Sequence, residues 1–171
     1  MRHRAMSLCA ALLALVVAVG PVAAAGARPV LTWLPKETID FGAEYCGFPV
    51  QLQDTFAAML QAEYPVDRHG NQRTTFTGIF KSRLTNQETG RTTNIGLPGY
   101  SVFTVHADGS ADYRVLGTAL AWYTEADEAV SELDQGIWYV VGSATERYDP
   151  DGNLVEATYS GRKTDLCARL S

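Results

Sequence analysis

Two cysteines, a calcium-loop lookalike, an acidic run and a dense aromatic set are the parts of this 171-residue chain with the residue types to do chemistry. Asp149-x-Asp151-Gly152-Asn153 matches the opening of an EF-hand-type calcium loop, where closely spaced carboxylates and an amide supply oxygen ligands. The match then fails. Leu154 stands where such a loop needs glycine, and Ser160 where it needs the closing glutamate. Asp-Pro-Asp-Gly is fully explained as a tight turn, so no metal is assigned. Residues 125–134 hold Glu125, Asp127, Glu128, Glu132 and Asp134, which read as a solvated loop or as a short helix capped by Thr124. There is no nucleophile elbow, zincin motif, Walker loop or dinucleotide fingerprint, so no catalytic residue and no cofactor is assigned. A glycosidase-like carboxylate pair stays open, because its members need not be close in sequence.

The cysteines carry the clearest chemistry. Met1-Arg2-His3-Arg4, an uncharged run from Leu8 to Val19 and the small-residue stretch around Ala23-x-Ala25 form a secretory signal peptide over residues 1–25. The apolar run is too short for a bilayer span. Cleavage removes Cys9 and leaves Cys46 and Cys167. In an oxidising compartment two lone cysteines are most simply one disulfide. A metal pair lacks histidine at ligand spacing, and His69 and His106, the partners a catalytic thiol would need, fall in expected turns. With Arg2 and Arg4 gone, 12 basic residues face 19 acidic ones. That balance points away from nucleic acid and from anionic membrane surfaces.

Around these residues the chain is patterned for strands. Residues 100–123 form two β-patterned arms joined by His106-Ala107-Asp108-Gly109-Ser110, with Asp-Gly supplying the positive-φ position of a hairpin. Phe48, Val50 and Leu52 alternate with Gln51 and Gln53, and Pro49 suits an edge or a strand start. The composition of residues 57–63 suits a helix, but Tyr64-Pro65 before His69-Gly70 favours a strand over 60–67. Phe76, Gly78, Phe80, Ser82 and Leu84 share one face of the next strand. Gly117 is expected to mark a bulge that turns Trp122 inward. Strands over 137–148 and 154–160 follow. Eight or nine strands in an antiparallel meander predict an all-β domain closing into a single β-barrel, lipocalin-like in architecture, with a sandwich as the alternative. The domain spans 46–171, preceded by an extended arm over 26–45. Tyr113, Trp122, Trp138 and Tyr148 cluster in the last strands, either as core or as the lining of a barrel mouth for a small apolar ligand.

Cys46-x-Phe48-Pro49-Val50, Thr89-Gly90-Arg91, Gly96-x-Pro98-Gly99, Ala107-Asp108-Gly109-Ser110 and Thr164-Asp165-Leu166-Cys167-Ala168, in that order, resemble an uncharacterised family of small secreted β-rich proteins of high-GC Gram-positive bacteria. The resemblance covers most of the chain after residue 25. It implies an exported β-rich domain with its terminal cysteines paired. Since the family carries no assigned activity, it transfers no catalytic or binding residue. Three functions are expected in order: a secreted non-enzymatic β-barrel domain binding a small apolar ligand or an extracellular partner, an extracellular interaction or inhibitor module using the acidic loop and outer sheet face, and a carboxylate-based extracellular enzyme.

Overall fold

The computed structural model describes residues 28–171, so the expected signal peptide, its expected cleavage site and Cys9 lie outside the described residues. Eight strands form one antiparallel sheet: β1 Val30–Trp33, β2 Thr38–Phe41, β3 Val50–Glu63, β4 Gln72–Asn86, β5 Thr92–Val105, β6 Ala111–Tyr123, β7 Gly136–Tyr148 and β8 Leu154–Asp165. From β3 onward each strand pairs with the next, while β1 and β2 both pair with β3 at opposite ends of its length. Two short helices, α1 Ala43–Cys46 and α2 Leu166–Leu170, carry the cysteines. The segment expected as an extended arm thus supplies the edge of the sheet.

The 106–110 hairpin forms as expected: Ser110 carbonyl accepts from the His106 amide at 2.8 Å, and Gly109 sits at φ 88°. Elsewhere the strands are longer than the sequence pattern suggests. β3 runs unbroken from Val50 to Glu63, so the helix-forming composition of 57–63 yields to hydrogen bonding from both sides. Its irregularity is a bulge between Asp54 and Phe56. β5 passes straight through Pro98-Gly99. At Gly117 the register runs without a shift, in contrast to the expected bulge.

Gly117 belongs to a larger feature. Gly78, Gly99, Gly117, Gly142 and Gly161 are successive cross-strand partners, a row of five glycines running across β4 to β8. A Cβ at Gly142 would collide with the Ser160 carbonyl, and one at Gly161 with that of Val141. Here neighbouring backbones approach too closely for a side chain, and the sheet creases. The bend is evident from Tyr123, whose partner on β7 is Gly136. Ten residues further along β7 lies Glu146, about 33 Å away in an extended strand. Yet the Tyr123 hydroxyl donates to Glu146 at 3.0 Å. The strands fold back on themselves at the glycines.

The crease creates two cores. Inside the fold of β6–β8, Val115, Ala121, Tyr123, Val140, Ala144, Ala157 and Tyr159 pack together with Leu133 from the 124–135 loop. The second core arises because β5 and β6 pair only between Gly99 and Val105 on one strand and Ala111 and Gly117 on the other. Past the glycines the two halves of the sheet diverge and face each other. Phe41, Val50, Leu52, Leu84 and Ile95 from one half meet Ile137, Leu166 and Leu170 from the other. The Asn86 amide donates to the Leu170 carbonyl at 3.0 Å across this gap, and the Tyr139 hydroxyl donates to the Gly96 carbonyl at 2.8 Å.

The sheet does not close into a barrel: β8 pairs with β7 alone among the named strands, and β3 takes β1 and β2 as its outer neighbours. Its ends meet instead at the cysteines, where Cys46 and Cys167 are at bonding distance with Cα atoms 5.1 Å apart. Side-chain packing and one staple do what ladder hydrogen bonds would do in a barrel.

Candidate binding surface

Register assigns every side chain of β4–β8 to the inside of the crease or to the outside. Arg73, Lys81 and Arg83 on β4, Arg114 on β6, Arg147 on β7 and Arg162 on β8 all fall on the outer face, leaving Lys163 as the one basic residue of these strands on the inner face. The outer acids on the same strands are Asp112 and Glu156, and both are engaged. Asp112 lies 3.2 Å from His106 Nε2, and Glu156 binds Arg147 at 2.8 Å. Among the described residues, Arg73, Lys81, Arg83, Arg114 and Arg162 make no ion pair. An acidic protein therefore presents one basic sheet face. Most of its carboxylates stand on loops and hairpin tips.

The same face is unusually apolar for a solvated surface. Tyr100 and Leu116 are direct cross-strand partners beside the glycine row, 42% and 62% exposed. Leu31 and Trp33 of β1 continue the face through Ala62 and Leu60 to Thr75 and Thr77, and are 60% and 68% exposed. A shallow depression of about 310 Å³ lies among Tyr100, Val102, Arg114 and Leu116. Thr77, Ser143, Thr145, Thr158 and Ser160 fill the intervening outward positions.

The inner side holds a different cluster. Glu146 is buried and accepts from three tyrosines: Tyr123 at 3.0 Å and Tyr159 at 2.5 Å on Oε1, and Tyr148 at 2.5 Å on Oε2. The Tyr123 and Tyr159 hydroxyls also touch each other. Burial first, then the Glu146 charge, pushes both of these phenols far above the usual range. This is a sealed, satisfied polar knot that ties the two limbs of the crease together. It offers no substrate access.

The acidic 124–135 loop is fastened over the β8 edge. Thr124 and Asp127 cap the 3-10 turn Glu125–Asp127, with the Thr124 hydroxyl donating to Asp127 at 2.8 Å. The Ala157 amide donates to the Val130 carbonyl at 2.8 Å, and the Tyr159 amide donates to the Glu132 carboxylate. That backbone bond, with Lys163 at 3.2 Å, holds the Glu132 carboxyl below the usual carboxylate range. Glu132 thus substitutes for a strand on an edge that would otherwise be open.

The four aromatic residues selected from the sequence do not converge on one cavity. Trp122 packs on Phe41 in the core between the sheet halves, with ring centroids 5.4 Å apart. Tyr113 and Trp138 border the crease core on the opposite face, and the Trp138 indole donates to the Asp134 carbonyl at 2.9 Å. Tyr148 binds Glu146. The calcium-loop lookalike is a closed turn, with the Asp149 carboxylate accepting from the Asp151 and Asn153 amides at 3.0 and 2.8 Å. Its bonds with Asn153, above all, hold that carboxyl below its usual range. At the other hairpin tip, Ser110 Oγ donates to Asp108 at 2.7 Å, and His106 Nε2 lies 3.2 Å from the Asp112 carboxylate. The outer-face set of Tyr100, Leu116, Arg114, Arg162 and Trp33 is absent from the sequence-derived candidates. Its signal was the register, which places residues far apart in sequence on one surface.

Comparisons with protein-family models, with curated proteins and with solved structures find no match to this chain.

Proposed function

We propose that the chain is an exported, non-enzymatic all-β module that recognises an extracellular partner through the outer face of its sheet. The observation that carries this reading is the exposure of Leu116, Tyr100 and Trp33 on one face of a domain with well-filled cores. Apolar side chains of this size, grouped on one sheet face with arginines that make no ion pair among the described residues, have the composition of a recognition surface. The expected ligand-enclosing barrel gives way in this proposal to an open sheet held shut by Cys46–Cys167. Its rigidity serves the outer face. Export through residues 1–25 and release of the folded domain belong to the same reading, as does membership of the family its motifs resemble. The oxidised cysteine pair supports it. No helix among the described residues is long and apolar enough to cross a membrane.

The test is site-specific photo-cross-linking in the producing culture. A cross-linker at Leu116 should yield a discrete adduct, and one at the exposed Ala168 of α2 should not. Native mass spectrometry of the recovered protein should give the mass of the polypeptide alone. A retained small apolar molecule, or the absence of any adduct at 116, would refute the reading.

A further inference from the structure

We propose that the outer face docks on an anionic lipid bilayer. The inference rests on the reading of that face as the recognition surface and names its partner. Three features of one patch converge. Arg114 and Arg162 are exposed, without ion-pair partners among the described residues, and stand on strands flanking the crease. Leu116 and Tyr100 lie beside Gly117 and Gly99, on the side opposite the Tyr123–Glu146 contact and therefore on the convex side of the bend. Trp33 continues the face at the sheet edge. An exposed aliphatic side chain beside a shallow depression, with aromatic and guanidinium groups around it, matches an interface of acyl chains, headgroup layer and phosphates. An exposed aliphatic side chain gains little from a hydrated polyanion and much from entering a deformable apolar layer.

The net negative charge of the chain does not oppose this. At physiological ionic strength a charge is felt over roughly 8 Å, so the nearest groups decide. On the patch those are Arg114 and Arg162, with Asp112 on the same face held 3.2 Å from His106, while Leu133 of the acidic 124–135 loop packs on the inner side of the crease. The separation of charge orients the approach. Each basic residue held near an anionic surface strengthens binding by about fivefold, so two contribute about thirtyfold.

Vesicle flotation with the purified, disulfide-intact protein tests the proposal. Phosphatidylcholine vesicles containing phosphatidylglycerol should carry the wild-type protein, and pure phosphatidylcholine vesicles should not. Arg114→Gln combined with Arg162→Gln should lower partitioning by about thirtyfold. Leu116→Ser should lower it by about tenfold, with unchanged circular dichroism. Arg169→Gln, which changes net charge on exposed α2 away from the face, should leave binding as it was. An equal loss with Arg169→Gln would reduce the effect to net charge and overturn the proposal. Equal flotation with both vesicle types would also overturn it. Polyglutamate binding that needs Arg114 and Arg162, with no vesicle binding, would reassign the face to an acidic polypeptide and leave its role in recognition standing. Failure of both would remove that role as well.

Discussion

Glu146 has no ion-pair partner among the described residues and is held in the protein interior by three phenols. Glu146→Ala would remove the acceptor that three buried hydroxyls share, and the Tyr123–Tyr159 contact would offset part of the loss of about 1–3 kcal/mol for each bond left unmade. We expect the variant to lose about 2–4 kcal/mol in urea unfolding, and Glu146→Gln, which keeps one acceptor oxygen, to lose less. A loss below about 1 kcal/mol for Glu146→Ala would show that the knot does not hold the crease. The same cluster sets an alkaline limit. Tyr123 and Tyr159 have folded-state values raised above their unfolded value near 10. Their contribution is therefore complete below about pH 10 and is lost as pH rises, since the unfolded chain releases protons that the folded one retains. Stability should be unaffected by these groups from neutral pH to about 10 and fall beyond it. Tyr123→Phe should make that fall shallower, as read by urea midpoints across the range.

Among the elements, the glycine row decides the architecture. Gly142→Ala places a methyl group against the Ser160 backbone at φ 150°, where no rotamer can relieve the contact. The expected loss is more than about 3 kcal/mol or failure to fold, since overpacking and an unfavourable φ act together. Gly152→Ala is the contrast. It has φ 81° in a hairpin turn with open space around its Cβ, and should cost about 1 kcal/mol. Similar melting temperatures for the two variants would contradict the crease. Hairpin turns, strand alternation and the cysteine pair were legible in the sequence because each is a local signal or a count. The glycine row was legible in principle: Gly99 and Gly117 are centred on the Asp108 turn, and Gly142 and Gly161 on Asp151-Gly152. Read one strand at a time, Gly117 looked like a bulge. Trp122 is covered for another reason, because the diverging sheet halves bury the face it occupies. No periodicity within β6 encodes that.

At the scale of the whole molecule, the staple joins two ends of a sheet that no ladder joins. Cys46→Ser and Cys167→Ser should each cost about 2–5 kcal/mol, and the double variant no more than either alone. Thiol labelling of the denatured, unreduced protein lacking residues 1–25 should find no free cysteine. The candidate surface was hidden from the sequence by averaging: an overall acidic balance conceals a basic face once register sorts Arg73, Arg114 and Arg162 onto one side. The central claim is that the apolar residues of that face serve a partner and not the core. Tyr100→Ser combined with Leu116→Ser tests it most directly. Both side chains are exposed, so the variant should melt within about 2 °C of wild type, as surface changes near ±0.5 kcal/mol do. A cross-linker at Thr145, a neighbouring outward position, should give an adduct in wild type and lose it in this variant. A drop of many degrees in melting temperature, or an adduct that persists undiminished, would contradict the account.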